Sequence, residues 1–295
     1  MGSTQFGKFH DFCRDTTLPV CNLFVPSNQP PNAPFGGCAL TGISLSNGRH
    51  LGNLGSILIA FIAIITCAFL IFLSDKKRAA VGRREIQIFL LGYAIVSLCE
   101  IFTVGAFPLG ADVRKGFSAV HVAAITATAW ILFLNSLVGF QFLDDGTPLS
   151  MALFFGSSAA LFIGTGYIAL DTGFSWTGHF DPSLSGDNRN IGLYVLYLLF
   201  PLICLFFFYI LEALLVIRVL GEKRPLIYLT GATLLFAIAQ VFNFVISPHI
   251  CGPVDGKING ALFQTLFSLL SVVCVWLFWS SITEDDWPSV AGGYT

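Results

Sequence analysis

The 295-residue chain is 55% hydrophobic and only 11% charged, whereas soluble domains carry roughly 25% charged residues. That balance excludes a soluble globular domain and points to a membrane protein. A net charge of −2 gives no electrostatic reason to expect nucleic acid as a partner.

Residues 1–52 are polar and rich in Pro, Gly and Asn, with no apolar run before Leu54. A signal peptide is therefore not expected, and a tail on the outer side would make the first span a reverse anchor. Seven apolar runs follow, at about 53–73, 86–107, 118–142, 149–170, 191–217, 226–247 and 259–282. Each is close to the length of about 20 residues that a membrane helix needs, and none alternates as a barrel strand would. The expected fold is all-α, a polytopic bundle of seven transmembrane helices over 53–282, preceded by a segment 1–52 and followed by a short tail 283–295. No internal repeat of fixed period marks an inverted-repeat transporter.

The loop between the first two runs carries Lys76, Lys77, Arg78, Arg83 and Arg84. Short loops dense in Lys and Arg beside membrane spans stay cytoplasmic. These five residues therefore act as topology determinants. By alternation, segment 1–52 and the loops near 108–117, 171–190 and 248–258 lie outside. The loops near 143–148 and 218–225 and the tail from Thr283 lie inside. Four of the eight cysteines (Cys67, Cys99, Cys204 and Cys274) fall within spans, where a thiol behaves as a small apolar group. The other four, Cys13, Cys21, Cys38 and Cys251, all fall on the outer side. An even set on one face reads as two disulfides in an oxidising compartment, with three pairings open.

Polar groups interrupt the spans at Glu100, Asn135, Glu212, Gln240 and Asn243. Glu100 is the only deep acid, and a structural hydrogen-bonding role is favoured for it over a substrate or proton site. Glu212 is placed near enough to the inner interface to reach water. Gln240 and Asn243 lie three apart, on one helix face. Gly156, Ala160 and Gly164 repeat every fourth residue, as do Ala119, Ala123 and Ala127. Such small-residue faces permit close helix contact, either within the bundle or against a partner, the internal use being the simpler. Pro201 is expected to kink the fifth span, and Trp279 and Trp287 fit an interfacial belt.

No catalytic constellation emerges. The five histidines include no pair at helical metal-ligand spacing. No Lys sits deep in the last span for a Schiff base, and no nucleophile elbow or phosphate loop is present. Neither a cofactor nor a metal is expected, and the chain is read as a non-enzyme.

Four stretches together resemble the fungal chitin synthase export chaperone family. They are Phe6-Gly-Lys-Phe-His-Asp-Phe-Cys13 with Leu18-Pro-Val-Cys21; Lys77-Arg-Ala-Ala-Val-Gly-Arg-Arg-Glu-Ile-Gln87; Val138-Gly-Phe-Gln-Phe-Leu-Asp-Asp-Gly-Thr-Pro-Leu149; and Thr283-Glu-Asp-Asp-Trp-Pro288. The resemblance implies a multi-pass protein of the endoplasmic reticulum membrane. Such a protein would keep a chitin synthase from aggregating and support its export for cell-wall chitin synthesis, with both release at export and travel to the plasma membrane left open. The implied partners are that membrane client, the lipid bilayer and vesicle-coat cargo machinery. Gly156, Ala160, Gly164, Gln240 and Asn243 are candidates for helix packing or the client face. Glu284, Asp285 and Asp286 are candidates for export or recognition, with pairing to the basic loops equally open. The competing reading is a seven-span receptor or small-solute transporter. A polar cavity lined by Glu100, Asn135, Gln240 and Asn243 would favour it.

Overall fold

The computed structural model describes residues 6–9, 13, 18–24, 42–44, 50–104, 110–141, 146–180 and 189–283. Seven helices are long and apolar enough to cross a membrane: α1 (Leu54–Lys76), α2 (Arg83–Thr103), α3 (Ala111–Gly139), α4 (Pro148–Phe174), α5 (Ile191–Leu220), α6 (Arg224–Ile246) and α7 (Gly260–Ile282). The protein is thus an all-α, multi-pass membrane bundle. The only strands among the described residues are the two-residue pair Ile43–Ser44 and His50–Leu51.

The centre of the bundle is α3, with 72% of its apolar window buried against 22% for α4 and for α6. It packs on α2, α4 and α5, while α7 packs on α6 and α1. The contact between α5 and α6 is sparse, which leaves a cleft on that side. Small residues set the close approaches, as packing in lipid requires. Ala119, Ala123 and Ala127 are buried, and a Cβ on Gly166 of α4 would sit 3.6 Å from that of Ala123. In α1 the buried stripe is Ser56, Ala60, Ala63, Cys67, Leu70 and Ser74. Its large residues Phe61, Ile65, Phe69 and Phe72 point outward.

The third helix starts seven residues before the apolar run does, taking in Arg114 and Lys115. Both are buried, and Lys115 Nζ donates to the Gly173 carbonyl at 3.0 Å. A cation at a helix end can keep its stem in the apolar layer while its head caps a neighbouring helix terminus, which hydropathy alone does not reveal. In α5 the irregularity expected at Pro201 takes the form of a π-helical turn over Val195–Leu199. Proline has no N–H to continue the ladder. The Leu196 carbonyl is satisfied instead by the Thr126 hydroxyl of α3 at 2.9 Å.

At the N-terminal end of α1, the tail is built into the bundle. Phe9, Cys13, Val20, Cys21 and Leu23 are buried against Ala119, Val122, Ala169, Leu193 and Tyr197. Asn22 Nδ2 donates to Ser118 Oγ at 3.0 Å. A disulfide joins Cys13 to Cys21. Cys251 is also disulfide-bonded, and Cys38 lies outside the described residues. Nearby, Asp171 at the end of α4 accepts the N–H groups of Thr177, Gly178 and Phe180, which ties down the following loop.

Polar staples join α7 to α1 at both ends. The caps of the two helices meet where Asn53 Nδ2 donates to Asn259 Oδ1 at 2.7 Å. Each Asn also caps its own helix, accepting from Ser56 N and Ala261 N respectively. At the other end Trp276 Nε1 donates to Ser74 Oγ at 2.8 Å, and Lys77 Nζ donates to the Ser280 carbonyl at 3.0 Å. A Cβ at Gly260 would overlap the Phe242 carbonyl, so this position excludes any larger residue.

Two measurements check these features. Trp276→Phe keeps an aromatic side chain but a smaller one, and removes one interhelical bond, so it is expected to lower stability by at least about 0.6–2 kcal/mol. Gly260→Ala should lower it further, both read as shifts in thermal unfolding. Non-reducing peptide mapping is expected to return Cys13–Cys21. A second linked peptide, containing Cys251, is also expected.

Candidate functional site

The end of the bundle that carries the basic loop holds a cavity of about 240 Å³ between α2, α3, α5 and α7. Its walls are mostly apolar, with Asn135, Gln141 and Glu212 supplying the polar side chains. Three of the four stretches that carry the family resemblance meet here. Val81, Gly82 and Ile86 come from the second, Gly139 and Gln141 from the third, and Thr283 opens the fourth.

Each element is shaped to leave this space. Gly82 begins α2 in the left-handed region, at φ 70°, where a side chain is strained. That turn brings the Val81 carbonyl under Trp279, whose Nε1 donates to it at 2.9 Å. Trp279 is therefore a buried clamp on the basic loop, 7% exposed, and not the lipid-facing anchor expected from its position. On α3, a Cβ at Gly139 would come within 3.1 Å of Leu215 and within 4 Å of both Glu212 carboxylate oxygens. Glycine at this position lets α3 lie close against Leu215, next to the acid. On α5, a second π-helical turn over Leu215–Leu220 begins just after Glu212.

Glu212 was expected to reach water at the interface. It is instead 5% exposed, and its Oε2 has no hydrogen-bond partner. Asn135 spends its Nδ2 on the Ile131 carbonyl at 3.2 Å. Trp279 Nε1 and Asn135 Nδ2 thus both donate within the protein, whereas the Glu212 carboxylate on the cavity wall keeps an acceptor without a partner. An acid in a long apolar run was visible in the sequence. Its convergence with Asn135 across two helices was not.

The basic loop is held from both sides. Lys77 bonds α7 as described. Lys76 Nζ lies 4.6 Å from the centre of the Phe72 ring, and Arg83 Nη1 donates to the Asp75 carbonyl at 3.4 Å. Glu85 is fully buried and accepts the Gly146 N–H at 3.2 Å, joining this loop to the turn between α3 and α4. Arg78 and Arg84 complete the cationic rim.

The remaining candidates lie elsewhere. Gly156, Ala160 and Gly164 all face away from the bundle, and a Cβ added at Gly156 or Gly164 would meet nothing within 4 Å. The internal use favoured for this stripe is not the one found; the Ala119/Ala123/Ala127 stripe has that role. Asn243 is buried with Oδ1 unpartnered, while Gln240 is half-buried. A π-helical turn runs from Phe242 to Ile246, with Asn243 inside it and Gln240 in the α-helix before it. Glu100 accepts a hydrogen bond from Thr265 Oγ1 at 3.1 Å, which ties α2 to α7. The cavity that contains Asn135 includes none of Glu100, Gln240 or Asn243. Glu284, Asp285 and Asp286 lie outside the described residues.

Seven apolar helices around a buried α3, with polar groups turned inward, define a multi-pass membrane protein. The sequence profile of the chitin synthase export chaperone family matches residues 5–292, and the chain belongs to that family. The chitin synthase export chaperone of Coccidioides immitis is 32% identical over 284 residues, covering 96% of this chain and 84% of its own. That of Chaetomium globosum is 31% identical, covering 95% of this chain and 83% of its own. That of Cryptococcus neoformans is 32% identical over 298 residues, covering 96% and 76%. No solved structure matches the chain.

Glu85 offers a direct check on how this end is assembled. Glu85→Ala removes the acceptor for the Gly146 N–H, which lies at an exposed turn, an effect of about 0.5–1.5 kcal/mol. Hydrogen exchange is expected to accelerate at residues 146–150, and Glu85→Gln, which keeps an acceptor oxygen, should restore most of the protection.

Proposed function

We propose that this protein is a non-catalytic membrane chaperone for a chitin synthase, acting in the endoplasmic reticulum to permit the client's export. The observation that carries the reading is the family match from residue 5 to residue 292, which takes in all seven helices. Under this reading segment 1–52 is lumenal and the tail from Thr283 is cytoplasmic. The five cations at the junction of α1 and α2 support that orientation. So does the placement of Cys13, Cys21 and Cys251 toward the other end, in disulfides that an oxidising lumen allows.

The physical task of such a chaperone is to cover helix faces that a multi-pass client exposes before assembly. Polar or poorly packed faces are unfavourable in hydrocarbon, and association there depends on close van der Waals contact. The outward stripe Gly156/Ala160/Gly164 suits that task. It offers backbone at the lipid surface of α4, and the exposed Phe155 and Ile163 flank it. A client helix laid along it could approach closely without displacing any side chain of this protein.

Tagged protein purified in mild detergent from its fungal host is expected to bring down a chitin synthase in comparable amount. Gly156→Leu combined with Gly164→Leu should cut that recovery at least about tenfold, equivalent to about 1.4 kcal/mol of association energy. The protein's own level should hold, because both positions face outward. Unchanged recovery would remove this face as the contact. Normal departure of chitin synthase from the reticulum in a deletion strain would remove the function itself.

A further inference from the structure

We infer that the cavity at the basic end is a headgroup site for an aminophospholipid, phosphatidylethanolamine, entering from the leaflet at that end. The inference goes beyond client chaperoning and does not depend on it.

Three observations lead there. First, the cavity has no use in the fold. It measures about 240 Å³, room for several waters at about 30 Å³ each. Second, its deepest polar group lacks a partner. Glu212 is nine-tenths buried, and its Oε2 is an acceptor without a partner. Trp279 Nε1 donates to the Val81 carbonyl and Asn135 Nδ2 to the Ile131 carbonyl, while Gln141 on the same wall is exposed. A primary ammonium brings three N–H groups to such a carboxylate. A choline headgroup has the same charge but no N–H to give. Third, the cavity borders both the cationic rim and the lipid. Val219 and Leu220 line it and are 66% and 44% exposed, on the side where α5 and α6 barely touch. Arg218 precedes Val219, and Arg83 follows Gly82. Cations beside the cavity would meet the phosphate of a lipid whose amine has entered. Basic pockets between membrane helices take phospholipid headgroups by this attraction. The buried acid is what selects an amine among those headgroups.

A lysine side chain from a partner protein could also offer an amine. The lipid is favoured because the lining includes exposed apolar residues of α5 that face the bilayer, and a diacyl chain can run down them.

The test uses the full-length protein in mild detergent with equal amounts of dioleoyl phosphatidylethanolamine and dioleoyl phosphatidylcholine, reading retained lipid by native mass spectrometry. Wild type is expected to keep one phosphatidylethanolamine in preference to phosphatidylcholine by about tenfold or more. Glu212→Gln should lose that preference, and Glu100→Gln, which alters a buried acid outside the cavity, should keep it. Leu220→Trp obstructs the exposed mouth without touching the interior. It should also abolish retention, and it decides the matter if Glu212→Gln fails to fold. Equal retention of the two lipids by wild type, or an unchanged preference in both cavity variants, overturns the proposal. So does a fall in co-purifying chitin synthase in Glu212→Gln with lipid retention intact, because the cavity would then hold a protein side chain.

Discussion

The structure depends on the requirement that a polar group within the bilayer find its partner inside the protein. The α1–α7 seam meets it most completely. Asn53 and Asn259 cap their own helices and bond each other, so the starts of the first and last spans share one hydrogen-bonded junction. Ser74, Trp276, Lys77 and Ser280 repeat the arrangement at the far end. A chain that closes its last helix onto its first cannot slide either one without breaking several bonds that lipid does not replace. The basic loop inherits its position from this seam, because Trp279 and Lys77 hold it on α7.

The two ends of the bundle are built differently. Toward the start of α1, the tail, its Cys13–Cys21 crosslink and the loop gathered by Asp171 fill the spaces between helices. At the basic end a cavity remains beside a buried carboxylate. The π-helical turns follow the same logic. One sits where Pro201 interrupts the ladder and a threonine of α3 compensates. Another rotates the chain directly below Glu212. Each marks a place where regular helix has yielded to a neighbouring polar requirement.

Much of this was legible from residues alone. Seven spans and most of their ends follow from apolar length, because a segment of about 20 apolar residues has few other stable options. The boundary missed by most was the start of α3. There Arg114 and Lys115 look like loop residues until Gly173 is seen to accept from Lys115. The small-residue repeats were equally visible. Their spacing defines a face but not its direction, so Ala119/Ala123/Ala127 and Gly156/Ala160/Gly164 looked alike, although one packs inward and the other faces out. Trp279 shows the same ambiguity, since a belt residue and a buried clamp share one position in the chain.

The sequence by itself determined the class of protein, the number of its helices and its family, because these rest on local composition and on motifs that remain readable without contacts. Only the tertiary structure decided which polar residues meet. Glu212 and Asn135 are 77 positions apart and come together because α3 packs on α5. Glu100 and Thr265 are joined because α2 lies near α7. Helix periodicity orients each face relative to its own axis, and only packing among the seven axes determines which faces look inward.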